Sequence, residues 1–461
     1  LRADAVWEDG SPVTSDDAEF TFNTLMDVKT EAAPLRTYFE GYKFEKVDAH
    51  TIRFTTEKPN VSSVDEINDD FLIMQKKQYQ GIADFNKAKG IISPLGNGPY
   101  KLKSFSRDQK LEFERNKDWW GYKIPAFKNQ HNFDLIVWRI IPDTALSYEK
   151  LVKGEIDVLL MNAELFGTRV KGSDKDKFGP DANTEKAMWA QHFQTKMPAQ
   201  WTYIGWNLKR PMFQSKKTRQ ALAMLINYDE IIDKVYHNEA TRCVSPFGST
   251  TPNTPPGQKA KAFQYNPAKG IALLKEDGWS DMDHDNTLAK MIDGKKVRFE
   301  FTLRYNSENP MRSKISQMLK EQFKKAGITI NVQAPEFNSL IQMMDNRDFD
   351  ALVMGWGNGM LNADSKQIWH SKSFENKGSN AVGYSNPEVD KLIEKASEEL
   401  NVQKHFLLNQ KIAAMIYDDQ PYAFVLEVPG YMAAFQTRKV KAKKWAMKYD
   451  GSAPIWMYSA E

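Results

Sequence analysis

The sequence predicts an α/β protein built from two lobes of different construction. From Val297 onward the patterns follow the order strand, helix, strand, helix, strand, which is typical of a mostly parallel sheet. The part of the chain before Val297 contains more β-hairpin patterns. With 461 residues, of which 41% are hydrophobic, the chain is long enough for two or three structural units with more than one core.

Hairpins dominate the predicted elements before residue 200. Alternating apolar and polar residues around a turn predict a hairpin, and apolar residues at helical spacing after a capping sequence predict a helix. Residues 168–200 are polar and show no clear period. The predicted elements are a turn over 8–12, a helix that begins after 14–17, hairpins over 42–57 and 100–115, a strand over 133–141, a helix over 147–153 and a strand over 155–160.

Helices and strands alternate in the rest of the chain. Asn386-Pro387 combines a helix N-cap with a proline at the first helical position, and Gly327 is a helix-ending glycine. The predicted elements are a strand over 203–208, a helix or helix pair over 215–236, a strand over 297–304, a helix over 311–326, a strand over 328–332, a helix from 386, a helix over 402–417 and a strand over 422–426.

Residues 349–371 form the stretch around which the chain is organised. The apolar run 351–354 predicts a short strand that is buried on both faces. The glycines in 355–359 predict that the strand breaks there into a turn. The loop that follows is dense in polar and aromatic residues, which is typical of a ligand site at a strand end. A purely structural turn, with a helix cap at Asn362 or Asp364 and Trp369 in the core, is the alternative.

The composition argues against several classes of protein and site. Lysine and arginine number 63 and aspartate and glutamate 60, and no basic block is interleaved with aromatic residues, so nucleic acid is not an expected partner. No apolar run of about 18 residues is present that would span a membrane. The single cysteine, Cys243, excludes an internal disulfide and a cysteine-based metal site.

Recognisable sequence motifs for catalysis or cofactor binding are absent. Nucleophile-elbow, P-loop, HExxH and CxxC patterns do not occur, and the seven histidines are scattered. Residues 281–285 resemble a fragment of a calcium loop, but the glycine and distal glutamate of that loop are missing. We therefore expect a binding protein with no metal, no cofactor and no enzymatic activity.

Eight stretches, taken in order, resemble one protein family: the periplasmic oligopeptide- and dipeptide-binding proteins of ABC importers, the extracellular solute-binding proteins of family 5. They are spread over essentially the whole chain, and their joint order is more specific than any one of them. The stretches are VWEDGSPVTSDDAEFTFN (6–23), PLGNGPYKLKSF (94–105), LEFERNKDWWG (111–121), KLVKGEIDV (150–158), YIGWNLKRPMFQSKKTRQALAMLIN (203–227), FDALVMGWG (349–357), VGYSNPEVDKLI (382–393) and DDQPYAFVLE (418–427).

The resemblance implies the type II periplasmic-binding-protein fold, in which two α/β lobes joined by a hinge close on a ligand. It implies crossings between the lobes near Trp206 and Val428. It also implies that part of the first lobe and a signal peptide precede Leu1, so that the chain is N-terminally incomplete. The implied regions are an extra subdomain of the first lobe over 1–93, the core of that lobe over 94–205, the second lobe over 206–427 and a return to the first lobe over 428–461.

The resemblance also implies ligand-binding residues. Peptide binders of this family hold the α-ammonium group of the ligand with an aspartate shortly after the Gly-Trp of the central strand. Here Gly-Asn-Gly follows Trp356, and the first acid is Asp364. Either Asp364 replaces that aspartate from a longer loop, or the ligand presents no free amine. The full expected set is Trp356 in the cleft wall, Asn358, Asn362 and Asp364 in the loop, Tyr305 and Asn306 after a neighbouring strand, and Trp206 and Asn207 at the hinge.

The function implied by the resemblance is transport. An exported, monomeric protein in the periplasm or at the cell surface captures an oligopeptide or dipeptide and delivers it to an ABC transporter permease in the inner membrane. The alternatives are another solute in the same fold (an opine, an oligosaccharide, haem or a metal chelate), a cleft hydrolase or transferase, and a protein-interaction module.

Overall fold

A computed structural model describes residues 1–90, 93–127, 131–181, 183–194, 200–357 and 365–437, together with the backbone of 441–442 and 458–459. Within this part of the chain, the helices fall short of the length and apolarity that a bilayer-spanning segment needs. The α-helices are α1 (Ser15–Met26), α2 (Ala33–Phe39), α3 (Ser63–Asp65), α4 (Lys76–Tyr79), α5 (Thr144–Val152), α6 (Ala163–Leu165), α7 (Lys216–Leu225), α8 (Tyr228–Lys234), α9 (Pro267–Glu276), α10 (Pro310–Lys324), α11 (Phe337–Asp345), α12 (Lys366–Trp369), α13 (Lys372–Glu375), α14 (Pro387–Glu398) and α15 (Val402–Asp419).

The strands form one large mixed sheet and several smaller sheets. They are β1 (Tyr42–Lys46), β2 (Ile52–Thr56), β3 (Tyr100–Ser106), β4 (Lys110–Arg115), β5 (Leu135–Arg139), β6 (Val158–Met161), β7 (Phe178–Gly179), β8 (Met188–Phe193), β9 (Gln200–Trp206), β10 (Thr241–Arg242), β11 (Ala289–Ile292), β12 (Lys295–Arg298), β13 (Glu300–Arg304), β14 (Thr329–Gln333), β15 (Ala351–Gly357), β16 (Tyr422–Val428), β17 (Tyr431–Gln436), β18 (Lys441–Ala442) and β19 (Tyr458–Ser459).

The predicted hairpins and helix caps are confirmed. β1 pairs with β2, and β3 pairs with β4, to which β5 adds a third antiparallel strand. Gly327 follows the end of α10 with a φ of +79°. At the start of that helix, a cap that was not predicted is present: the Asn309 side chain accepts a hydrogen bond from the Arg312 main-chain N–H. Asn386 caps α14, with Pro387 at its first position.

Two strands differ from their sequence prediction. The single strand expected over 297–304 is two strands, β12 and β13, separated by Phe299, and β12 pairs with β11 instead of joining the large sheet. Strand β8 lies in the stretch that has no clear period. Successive residues Met188, Trp189 and Ala190 are all buried, so the strand shows no alternation of apolar and polar residues.

The large sheet has six strands in the order β10-β16-β9-β15-β13-β14. β13 pairs in parallel with β14 and β15, as the alternating order predicts. β9, however, lies antiparallel between β15 and β16, and β10 is antiparallel to β16. The expected mostly parallel sheet is therefore a mixed sheet. The reason is that β9 precedes the alternating strand and helix region in the chain. The pattern of that region therefore does not indicate the direction of β9.

Helices cover both faces of this sheet, and both faces are hydrophobic. One face packs against α7, α8 and α10, through residues such as Leu222, Ile231 and Leu319. The other packs against α11, α14 and α15, through residues such as Leu340 and Ile412. Burial on both faces explains why β15 and β16 read as continuous apolar runs.

The chain passes between the six-stranded and four-stranded sheets at two places. The four-stranded sheet has the order β6-β17-β8-β7. β8 lies in it, whereas the next strand, β9, pairs along its whole length in the six-stranded sheet. The first crossing therefore lies before Gln200 and not near Trp206, which corrects the expected boundary at 205/206. The return lies between Val428, the last residue of β16, and Tyr431, the first residue of β17.

The N-terminal segment has a core of its own. Phe22, Phe39, Tyr42 and Phe71 are buried together, with Phe44 and Phe54 packed against them. The rings of Phe44 and Phe54 lie directly opposite each other in the β1–β2 hairpin, with centroids 5.3 Å apart. Cross-strand aromatic pairs of this kind stabilise a small sheet.

Candidate functional site

Strand β15 does not break at Gly355, as the glycine pattern predicts, but continues to Gly357. Gly355 and Trp356 pair with Thr202 and Trp201 of β9. Glycine suits this position because a Cβ atom at Gly355 would lie 3.0 Å from the main-chain oxygen of Trp201. The glycine therefore marks a close approach of neighbouring groups and not the end of the strand.

An aromatic layer covers one face of the sheet at this end of β15. Successive strands place Trp201, Tyr203, Trp356 and Tyr422 on the same face. Tyr203 stacks on Tyr422 with ring centroids 4.0 Å apart, and it lies parallel to Trp356 at 6.4 Å. Burial raises the pKa of the Tyr422 hydroxyl to about 12. Trp356 is only partly buried, so it forms the exposed margin of the layer.

Next to this layer, β13 ends several residues before β15 does. The two strands are neighbours only at Leu303 beside Ala351 and Arg304 beside Leu352. β13 then ends, whereas β15 continues to Gly357. We call the region beyond these pairs the β13–β15 gap. A crevice at the carboxyl ends of strands that separate in this way is where open α/β sheets bind ligands.

Tyr305 and Asn306 border the β13–β15 gap and are both buried. The hydroxyl of Tyr305 donates a hydrogen bond to Ser313 Oγ at 2.9 Å, which fixes the start of α10 against the sheet. Asn306 donates from Nδ2 to Glu308 and accepts at Oδ1 from Arg312 Nη1 at 2.7 Å. Asn306 thus holds the arginine side chain in place.

Arg312 projects from the first turn of α10 into the β13–β15 gap. Its Nη1 also lies 3.1 Å from the sulfur of Met354, and its Nη2 lies 3.3 Å from where a Cβ atom of Gly355 would be. Burial lowers the pKa of its guanidinium, while the nearby hydroxyls of Tyr203 and Tyr236 act in the opposite direction. The sequence analysis did not identify Arg312, because an arginine in the first turn of a helix has the same local pattern whether it lies at the surface or in a site.

Trp206 and Asn207 lie at the opposite end of β9 from the aromatic layer. β9 is antiparallel to β15, so Trp206 lies beside Ala351, the first residue of β15. The indole packs on Phe213 in the core, and the amide of Asn207 donates to the main-chain oxygens of Arg347 and Phe349. Both residues were expected to bind ligand at the hinge; they lie away from the aromatic layer and the β13–β15 gap. The direction of β9, which sequence patterns do not reveal, is the reason.

The loop residues Asn358, Asn362 and Asp364 lie outside the described residues. The helix that follows this loop, α12, contacts the N-terminal segment. Gln367 accepts a hydrogen bond from the Tyr38 hydroxyl at 2.6 Å and donates to the Pro34 main-chain oxygen.

Glu40 makes two more contacts across the same boundary, with Lys366 and with Asn376, each at 3.2 Å. A polar cavity of about 320 Å³ lies beside them, between α2 and the β1–β2 hairpin on one side and α12 and α14 on the other. Side-chain hydrogen bonds thus join the N-terminal segment to the residues that follow 358–364.

Metal-binding clusters of three or more suitable side chains do not occur in the described part of the chain. The acidic stretch 281–285 is paired with cations instead. Asp283 binds Lys296 at 2.6 Å and Arg298 at 3.0 Å, and Asp285 binds Arg298 at 2.8 Å. Its carboxylates thus stabilise the β11–β12 hairpin.

Several known proteins are similar to this chain both in sequence and in fold. The family model for bacterial extracellular solute-binding proteins, family 5, matches residues 1–378. The oligopeptide-binding protein AppA of Bacillus subtilis is 29% identical over 442 residues, which cover 94% of this chain and 75% of AppA.

Solved structures extend the likeness to the whole chain. Bacillus subtilis AppA in complex with a nonapeptide matches with a TM-score of 0.84 at 26% identity, over 100% of this chain and 86% of that one. NikZ from Campylobacter jejuni in complex with Ni(L-His) matches with a TM-score of 0.80 at 21% identity, over 100% and 87% of the two chains. The fold is accordingly that of a two-lobed periplasmic binding protein. The chain is therefore a member of the bacterial extracellular solute-binding proteins of family 5.

Proposed function

We propose that this protein binds peptides between its two lobes and delivers them to the permease of an ABC transporter, outside the cytoplasmic membrane. The observation that carries the proposal is the likeness to Bacillus subtilis AppA, which extends over the whole chain and includes a structure with a bound nonapeptide. The geometry agrees with this role, because an aromatic layer and a strand-end gap lie side by side at one edge of the large sheet.

Binding in this proposal involves no chemical step. The ligand contacts the open cleft, the lobes rotate together, and the affinity depends on how much better the closed form binds than the open form. Trp356 is proposed to contact ligand side chains, since flat aromatic surfaces and ordered water accommodate varied sequences. Tyr305 and Asn306 are proposed to act by positioning α10 and Arg312.

A metal chelate is the second candidate ligand, because NikZ in complex with Ni(L-His) shares the fold. The described residues offer no cluster of histidine and acidic side chains for such a ligand, so peptides are favoured.

The test combines two measurements on the purified protein. Thermal unfolding is followed with a peptide library of two to nine residues, and any small molecule released on denaturation is identified by mass spectrometry. A peptide present at a hundred times its Kd should add about 2.7 kcal/mol to the unfolding free energy. Release of a chelate or a sugar, with no stabilisation by any peptide, would disprove the assignment.

The role of Asp364 is tested with the same peptides. Asp364→Asn should weaken the binding of peptides with a free N-terminus by about 10-fold, and that of N-acetylated peptides much less, because only the free amine pairs with the carboxylate. Equal weakening of both would remove Asp364 from the site.

A further inference from the structure

The inference concerns the contact between residues 15–73 of the N-terminal segment and helices α12 to α14, which we call the N-terminal contact. At one end of it, Gln367 accepts a hydrogen bond from the Tyr38 hydroxyl at 2.6 Å. At the other end, the Val61 main-chain N–H donates to the Ser397 main-chain oxygen at 2.8 Å. The ion pairs of this contact are Glu40 with Lys366 at 3.2 Å and Lys58 with Glu398 at 2.5 Å.

The apolar cores on the two sides of the N-terminal contact are separate. The core of the N-terminal segment consists of residues from that segment alone, such as Phe39 and Phe71. Trp369 of α12 and Ile393 of α14 belong instead to the core against the six-stranded sheet. The polar cavity of about 320 Å³ lies between the two sides. A polar interface with room for water is typical of domains that separate reversibly, and not of the interior of one domain.

The N-terminal segment is held differently on its other side. Ile73 packs against the buried Trp7 in an apolar cluster that also includes Trp120. The Trp120 indole N–H donates to the main-chain oxygen of Asn97, just before the three-stranded sheet. Apolar packing therefore anchors the segment to the part of the chain that carries the three-stranded sheet, whereas polar contacts join it to α12 to α14.

Where the chain crosses between the six-stranded and four-stranded sheets, the apolar core is continuous. Met188 of β8 and Ala434 of β17 lie in one cluster with Val353 of β15 and Val425 of β16. Apolar side chains packed in this way resist separation, because separation would expose them to water. The crossing is therefore the fixed part of the molecule, and the N-terminal contact is the part that opens at a lower cost in free energy.

We propose that the N-terminal contact is a latch that forms when the two lobes close, and that Tyr38 and Glu40 thereby slow the release of the ligand. This inference rests on the proposed function, because it concerns the release of a bound peptide. A rotation about the crossing keeps the continuous core packed and breaks the hydrogen bonds and ion pairs of the latch. Contacts made only in the closed form add to the affinity, and they do so through a slower dissociation.

The experiment measures the dissociation rate of a fluorescein-labelled nonapeptide, the best binder of the peptide library, by stopped-flow displacement with unlabelled peptide. Tyr38→Phe removes the hydroxyl and keeps the ring, which packs on the core of the N-terminal segment. It should raise the dissociation rate by about 3- to 10-fold, because the closed form loses one hydrogen bond. The association rate should stay unchanged, since the peptide enters while the latch is open.

An exchange of charges tests the ion pair of Glu40 with Lys366. Glu40→Lys and Lys366→Glu each place like charges opposite one another, and each should raise the dissociation rate by about 3-fold. The double substitution should return the rate to near the wild-type value, because it restores an opposite pair. The matched control is Glu45→Lys, which breaks the ion pair with Arg53 inside the β1–β2 hairpin and should leave the dissociation rate unaltered.

Melting temperatures of the ligand-free variants distinguish a latch from a purely structural contact. A latch formed on closing should leave the ligand-free melting temperature nearly unchanged in Tyr38→Phe. A lower melting temperature with an unaltered dissociation rate would overturn the inference and leave the proposed function standing. Dissociation rates in Glu40→Lys and Lys366→Glu that equal the wild-type rate would do the same. Failure of every peptide to bind the wild-type protein would overturn both.

Discussion

His192 of β8 and Glu239 of the loop after α8 form a hydrogen bond, with Nδ1 of the imidazole 2.9 Å from Oε2 of the carboxylate. The second ring nitrogen of His192, Nε2, lies 2.9 Å from the main-chain oxygen of Pro429, where the chain returns to the four-stranded sheet. Both partners are acceptors, and a neutral imidazole donates from only one nitrogen. The imidazole thus links β8, the return crossing and the loop after α8.

His192→Asn is expected to lower the unfolding free energy by about 1–3 kcal/mol, because the shorter amide cannot reach both acceptors and Glu239 stays buried. Urea unfolding at neutral pH measures this. The control is His284→Asn, since His284 is exposed and asparagine tolerates its positive φ of +54°. Equal effects of the two substitutions would show that the bridge does not stabilise the crossing.

Glu427, near the end of β16 in the large sheet, carries a buried carboxyl group. It is 2% exposed, and Oε2 accepts a hydrogen bond from the Ser249 main-chain N–H at 2.8 Å. Burial raises the pKa of this carboxyl from its usual 4.5 to about 7. Between these two pKa values the folded protein holds a proton that the unfolded chain releases, so the unfolding free energy falls as pH rises through this window.

Glu427→Gln should remove this pH dependence, because the amide does not ionise. At pH 8 the variant should be more stable than the wild type by up to about 3 kcal/mol, at about 1.36 kcal/mol per pKa unit, and the two should converge near pH 5. Urea unfolding from pH 5 to 8 tests this, with the exposed Glu321→Gln as control. A constant difference across the range would contradict the assignment.

Gly355 and Gly357 allow a matched test of close packing on β15. A Cβ atom at Gly355 would lie 3.0 Å from the main-chain oxygen of Trp201, whereas one at Gly357 would meet no described residue within 4 Å. Gly355→Ala should therefore cost about 1–3 kcal/mol of unfolding free energy, and Gly357→Ala should be nearly neutral. Thermal unfolding of both variants distinguishes them. A neutral Gly355→Ala would mean that the strands separate without cost.

Trp356 should contribute to ligand affinity more than to stability, because its ring lies at the partly exposed margin of the aromatic layer. Trp356→Ala is expected to weaken the binding of a nonapeptide by about 10-fold, as the ring area that covers the ligand is lost. The control is Trp138→Ala on β5, a tryptophan that is 51% exposed and lies in the three-stranded sheet. Calorimetric titration that shows the same affinity for both variants would remove Trp356 from the site.

Local patterns were sufficient to predict most elements of the fold. The β1–β2 and β3–β4 hairpins, the cap at Asn386 and the helix end at Gly327 follow from residues within one or two turns of chain. The prediction failed where one sequence pattern is compatible with two different local structures. Glycine at 355 is compatible with a turn and with a close approach in a strand, and only the neighbouring β9 distinguishes them.

The candidate site was predicted only in part. Trp356, Tyr305 and Asn306 lie together at the carboxyl edge because parallel strands place their ends at the same edge of a sheet. Trp206, which was expected at the hinge, lies at the other end of β9, because β9 runs antiparallel to β15. Arg312 carries no local pattern that separates it from a surface arginine; only its position over Gly355 does so.

The sequence by itself determined the family, the order of the elements and the strand whose end borders the candidate site, since these depend on periodicity, capping residues and the joint order of short stretches. Only the tertiary structure decided the direction of β9, the place where the chain crosses between the sheets and the arginine that enters the β13–β15 gap. The physical reason is that these features arise from contacts between residues far apart in the chain. Such contacts depend on which apolar surfaces are buried against each other and on which acceptors the hydrogen-bond donors find. No short segment of the chain determines either of these by itself.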